Sequence, residues 1–124
     1  MEMIYLIDDD EIQNLVNSKM LSLLGKDLNM ETFTFAQVAL DRIKDEGIFP
    51  NVILLDINMP KMNGWDFLDV FDGINDSTDV YLLTSSINEN DIEKSKQYHS
   101  VKDFITKPLH LDKAKEIVEE SYSR

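Results

Sequence analysis

Short apolar runs alternate along this chain with stretches in which apolar residues recur every three to four positions. Met3-Ile4-Tyr5-Leu6-Ile7 has strand composition, and Ile12, Leu15, Val16, Met20, Leu23 and Leu24 follow at helical spacing, with Gly25 as the predicted C-cap. Residues 29–35 read as a second strand, and Ala36, Ala39, Leu40 and Ile43 as a helix that Gly47 and Pro50 terminate. Val52 to Leu55 is apolar at every position, which predicts a strand covered on both faces. Trp65, Phe67, Leu68 and Phe71 predict a third helix, and Val80 to Leu83 a fourth strand. Asn88 to Tyr98 reads as a helix with few apolar positions, and Val101 to Ile105 as a fifth strand. Leu111, Ala114, Ile117, Val118 and Ser121 form the inner stripe of a closing helix. Strand–helix pairs in this number predict an α/β fold: a doubly wound five-stranded parallel sheet with five helices and right-handed crossovers, one domain over residues 1–124.

Composition narrows what such a domain binds. Twenty-four acidic against 12 basic residues give a net charge of −12, which opposes nucleic acid and anionic membrane as direct partners. Lys94, Lys96, Lys102 and Lys107 are scattered among acids and form no basic patch. The chain has no cysteine, hence no disulfide framework or thiolate metal site. The start, MEMIYLIDDD, lacks the layout of a signal peptide, and no segment approaches the ~20 apolar residues of a membrane span. The expected location is the cytoplasm.

In an open parallel sheet, sites form outside the carboxyl ends of the strands. Asp8-Asp9-Asp10 follow the first predicted strand, Asp56 the third, Thr84-Ser85-Ser86 the fourth and Thr106-Lys107-Pro108 the fifth. Carboxylates gathered at one edge repel each other unless a cation joins them. Oxygen ligands without His or Cys favour a hard cation such as Mg²⁺. A lysine and a hydroxyl on neighbouring strands suit an anionic group, and a phosphoryl group is the economical choice.

These residues resemble the receiver domains of bacterial two-component response regulators, along essentially the whole chain. The resemblance rests on Asp8-Asp9, on Asp56 in LLDINMPKMNG, on Thr84 in YLLTSS and on Lys107 in FITKPL. Pro60 lies four and Gly64 eight residues after Asp56, Thr84 lies 28 after it, and Lys107 lies 23 after Thr84. The resemblance implies a flavodoxin-like (βα)5 fold in which Asp56 accepts a phosphoryl group from a phosphohistidine of a sensor histidine kinase or histidine phosphotransfer protein. It implies Mg²⁺ as cofactor, held by Asp9, Asp56 and the backbone carbonyl of Asn58, with Asp8 acting through a water. Lys107 would pair with the phosphoryl oxygens and Thr84 would bond to one of them. Thr84 and Phe104 would then switch the face made by the fourth helix, fifth strand and fifth helix. Such a chain is a phosphoacceptor that assists its own phosphorylation and dephosphorylation, not an enzyme acting on outside substrates. Asn58 and Ser86 flank the site and tune how fast the phosphoryl group is lost.

Plainer readings stand beside these. Asp8, Asp9 and Asp10 suit helix N-capping, the expected role of Asp10 and Glu11. Thr84 and Lys107 are ordinary residue types that gain weight only from their order along the chain. Trp65 and Phe71 read as core, Phe104 as core or switch, and His99 and His110 as surface. QYHSVKDF departs from the Gly-Ala turn of many receivers. A stand-alone receiver, monomeric or weakly dimeric, is expected, with an unknown protein as downstream target. Output switch and phosphorelay intermediate stay open. A phosphorylation-independent binding module is a further alternative, and an aspartyl-nucleophile phosphatase is disfavoured because Asn58 stands where it needs an acid.

Overall fold

The computed structural model describes residues 2–122. Strands and helices alternate throughout: β1 (Glu2–Ile7), α1 (Glu11–Ser22), β2 (Leu28–Phe33), α2 (Ala36–Glu46), β3 (Val52–Asp56), α3 (Gly64–Ile74), β4 (Asp79–Thr84), α4 (Glu89–Ser95), β5 (Val101–Thr106) and α5 (Leu111–Tyr122). The strands form one parallel sheet in the order β2-β1-β3-β4-β5. This is the doubly wound parallel sheet that the pattern predicts and the flavodoxin-like (βα)5 architecture that the resemblance implies.

Chain direction explains the layering. From β1 the chain steps outward to β2 and then returns past β1 to β3, and right-handed connections turn that reversal into helices on opposite faces. Strand alternation supplies both cores. Tyr5, Ile7, Ile53, Leu55, Val80 and Leu82 meet α2 and α3, while Ile4, Leu6, Val52, Leu54, Tyr81 and Leu83 meet Leu21 of α1 and Ala114, Ile117 and Val118 of α5. Every residue of β3 is buried, as its unbroken apolar run predicts. Helix starts are fixed locally: the Asp10 carboxylate accepts from the N–H groups of Ile12 and Gln13 at 2.9 and 3.4 Å, and Asn63 and Asp66 form a reciprocal capping box. Gly47, with φ of 66°, closes α2 through an N–H bond to Ile43.

Four expectations need correction. In α1 the stripe of Ile12, Leu15, Val16 and Leu23 is exposed, and the helix buries Asn14, Asn17 and Leu21 instead; Met20 and Leu24 are half-buried against the core. The cause is polar: the Asn14 and Asn17 amides bond backbone groups at the sheet edge and turn that side of the helix inward. Gly25 is not the C-cap, because Leu23 already bonds back to Lys19, and Gly25 sits two residues further on with φ of 67°. Helix α4 stops at Ser95 and does not reach Tyr98, whose ring stacks on Trp65 at 5.9 Å and whose hydroxyl donates to Asp69. Leu111 is exposed at the first turn of α5, while Ala114, Ile117, Val118 and Ser121 are buried as predicted.

Candidate functional site

The carboxyl ends of β1 and β3 lie side by side, with Ile7 in register with Leu55, so each strand delivers its next acid to one edge. Asp8 and Asp56 are buried, at 0% and 2% exposure, while Asp9 between them in the β1–α1 turn is exposed. One carboxylate oxygen from each of Asp8, Asp9 and Asp56 falls within 4.8 Å of the others. The Asp8 N–H bonds to Phe33 at 3.0 Å, and the Asp8 carboxylate accepts from the N–H of Asp10 at 2.9 Å. Asp56 accepts from the N–H of Asn58 at 3.2 Å.

Lys107 reaches this cluster from the far side of β4. Its N–H bonds to the carbonyl of Thr84 at 2.8 Å, which fixes the turn after β5 against the end of β4. The ammonium then lies 2.9 Å from Asp8 and 3.2 Å from Asp56. Burial, followed by the Asp8 charge, pushes the Asp56 carboxyl up to about 6 against the pull of Lys107. Burial alone would lower the Lys107 ammonium, but Asp8 and then Asp56 outweigh it and the group is raised. Three carboxylates facing one ammonium leave a formal charge of −2. The all-oxygen donor set and that charge fit a hard divalent cation.

Thr84 ends β4, is buried, and pairs in register with Thr106. Its hydroxyl donates to the carbonyl of Ser86 at 2.8 Å and accepts from the Ser86 N–H at 3.3 Å. Phe104 pairs with Leu82 and packs half-buried against the α2–α3 core, beside a groove of about 420 Å³ that Ile92, Tyr98 and Val101 also line. His99 and His110 are on the surface, His99 bonding the carbonyl of Asp72. Trp65 and Phe71 are core.

The structure thus brings Asp8, Asp9, Asp56 and Lys107 together, with Thr84 one strand away and Phe104 further along β5. Two contributions go beyond the sequence reading, which used Gly64 only for its spacing from Asp56. Gly64 begins α3 so close to the end of β3 that a Cβ there would meet the carbonyl oxygen of Asp56 and the Cα of Ile57, each at 2.9 Å, while its N–H bonds to Ile57. A side chain at position 64 would therefore displace the backbone that carries Asp56. The second is Asn14, whose signal was present in the sequence: Asn14 and Asn17 stand three apart inside a helix, where asparagine is a poor former.

The family model described as response regulator receiver domain matches residues 4–119. The chain is 30% identical over 118 residues to the protein-glutamate methylesterase/protein-glutamine glutaminase of Treponema pallidum, covering 90% of this chain but only 27% of that protein. It is 27% identical over 103 residues to chemotaxis protein CheY of Listeria monocytogenes, covering 82% and 86% of the two chains. A crystal structure of a two-component response regulator from Cytophaga hutchinsonii superposes with a TM-score of 0.88 at 26% identity, covering 100% and 98%. No helix among the described residues is long and apolar enough to cross a membrane.

Proposed function

This chain belongs to the response regulator receiver domain family of two-component signalling, and from that premise we propose that it is a phosphorylation-activated switch with Asp56 as the phosphoacceptor. The observation that carries the reading is the convergence of Asp8, Asp9 and Asp56 with the Lys107 ammonium at one sheet edge. Receivers work with histidine kinases or phosphotransfer proteins, and the donor here is a phosphohistidine on such a partner. An ionised Asp56 oxygen attacks phosphorus, the P–N bond breaks, and its electron pair leaves with the imidazole. Phosphoryl transfer asks mainly for in-line positioning and charge neutralisation, which a buried carboxylate at the end of a rigid strand and an adjacent ammonium supply. Asp9, Asp56 and the Asn58 carbonyl would hold Mg²⁺, with Asp8 acting through a water; the ion supplies charge neutralisation at the phosphoryl oxygens when bound.

Lys107 gives up part of its contact with Asp56 to pair with the transferred group. Thr84 exchanges its bond to the Ser86 carbonyl for one to a phosphoryl oxygen, and Phe104 turns inward. The groove beside Phe104 thereby changes shape, and a protein partner reads the α4–β5–α5 face. The same edge serves loss of the phosphoryl group to water.

The test is intact-protein mass after incubation with Mg²⁺ and acetyl phosphate. Wild type gains one phosphoryl group, and Asp56→Asn or wild type in EDTA gains none. Retained uptake by Asp56→Asn makes another residue the acceptor; no uptake from several donors makes the chain a phosphorylation-independent binding module.

A further inference from the structure

Asn14 is 3% exposed near the start of α1, where a leucine would satisfy packing and helix propensity better. Its amide oxygen is buried and has no hydrogen-bond partner, so the side chain is retained at a cost. The two bonds it makes are both donated. The amide nitrogen reaches the carbonyl of Asp8 at 3.0 Å and that of Phe33 at 3.2 Å. The first of these carbonyls belongs to the peptide that joins Asp8 to Asp9.

That peptide matters because Asp9 has no hydrogen bond or ion pair from its side chain among the described residues. Asp8 is held by Lys107 and by the Asp10 N–H, and Asp56 by Lys107 and the Asn58 N–H. The direction in which Asp9 leaves the backbone is therefore set by the rotation of the peptide before it. Phe33 also accepts from the Asp8 N–H, so a single carbonyl at the end of β2 ties together Asp8 and the Asn14 amide.

We infer that Asn14 is a positioning residue for the metal site, gripping the Asp8–Asp9 peptide so that the Asp9 carboxylate meets those of Asp8 and Asp56 at one ion. The inference rests on the proposed reading of the acidic cluster as a Mg²⁺ site. Groups that orient ligands without touching the ion characteristically change affinity by about 10–100-fold when removed.

Calorimetric or NMR titration with Mg²⁺ of wild type, Asn14→Leu and Leu21→Ala tests it. Asn14→Leu keeps the branching and number of side-chain heavy atoms and removes both donors; Leu21→Ala damages the same helix without touching the edge. Asn14→Leu is expected to bind Mg²⁺ about 10–100-fold more weakly, with uptake from acetyl phosphate largely restored at saturating Mg²⁺. Leu21→Ala is expected to melt earlier with its Mg²⁺ affinity intact. Wild-type affinity in a folded Asn14→Leu, or an equal loss in Leu21→Ala, overturns the inference while leaving the phosphoacceptor reading intact. Absence of Mg²⁺ binding by wild type overturns both. If Asn14→Leu does not fold, the wild-type spectrum decides: the Asn14 side-chain amide signals must shift with the Asp9 backbone amide during titration, and unmoved signals refute the role.

Discussion

Helices α1 and α5 cover the same face of the sheet and are each 12 residues long, yet they use their side chains in opposite ways. Helix α5 buries Ala114, Ile117, Val118 and Ser121 and leaves its acids and lysines largely to water. Helix α1 turns Asn14 and Asn17 inward with Leu21, and leaves Ile12 72% and Leu23 70% exposed. The difference follows the edge each helix serves. The first turns of α1 lie against the acids that follow β1, where backbone carbonyls need donors, whereas Ala114, Ile117 and Val118 of α5 pack on apolar strand residues and Ser121 donates to the Glu2 carboxylate of β1. Stability is concentrated on α5 and site geometry on α1.

The largest expected effect lies where that contrast is sharpest. Ile117 is 1% exposed in the second core, and Ile117→Ala should lower unfolding free energy by about 2–4 kcal/mol through lost burial and an incompletely filled cavity. Leu15 is 54% exposed, and Leu15→Ala should change stability by no more than about 0.5 kcal/mol. Urea denaturation of the pair measures both. Comparable losses would mean that the two helices share the core equally, and the contrast would fail.

A smaller effect of opposite sign is expected at the acidic edge. The Asp56 carboxyl is raised to about 6 in the folded chain from an ordinary carboxylate value, so between those limits the native state holds a proton that the unfolded chain has released. Stability from this group is therefore fully present below the unfolded value and lost as pH rises through about 6. Asp56→Asn removes the penalty, and in EDTA at pH 8 it should stabilise the protein by about 1–3 kcal/mol. The gain should shrink toward pH 4–5 and should also shrink when Mg²⁺ is added to both proteins. A gain independent of pH would trace to packing and not to charge.

How much of this was legible in the sequence depended on which force ruled each segment. Val52 to Asp56 carried its own answer, because a run apolar at every position fits only a strand buried on both faces, and its last residue then falls at the edge. Helix α5 was legible from the period of its apolar stripe, except at Leu111, which is exposed. In α1 hydrophobic periodicity identified a helix but pointed to the wrong face, since it gives no weight to an amide whose partners, the carbonyls of Asp8 and Phe33, lie outside the helix at the ends of β1 and β2. The early end of α4 was hidden likewise in tertiary contacts, the Trp65–Tyr98 stack and the Tyr98 bond to Asp69. The site acids were legible as a group because each stands at the end of a strand. Gly64 was legible only through its spacing from Asp56, and its 2.9 Å approach to the Asp56 backbone required coordinates.

The smallest expected effect bears on the outer face of α1. Ile12 and Leu23 are more exposed than not, so replacing either with serine removes little buried apolar area. A helix-interior serine costs only a few tenths of a kcal/mol in propensity relative to isoleucine or leucine, and Leu23 lies at the cap, where even that is relaxed. Ile12→Ser and Leu23→Ser should thus each leave stability within about 0.5 kcal/mol of wild type in urea denaturation, with uptake from acetyl phosphate unchanged. A loss of about 2 kcal/mol from either would match burial of a large aliphatic side chain. It would mean that α1 is rotated about its axis in solution to place this stripe on the sheet. Such a rotation would carry Asn14 away from the Asp8 carbonyl, so this small measurement tests the geometry on which the role of Asn14 depends.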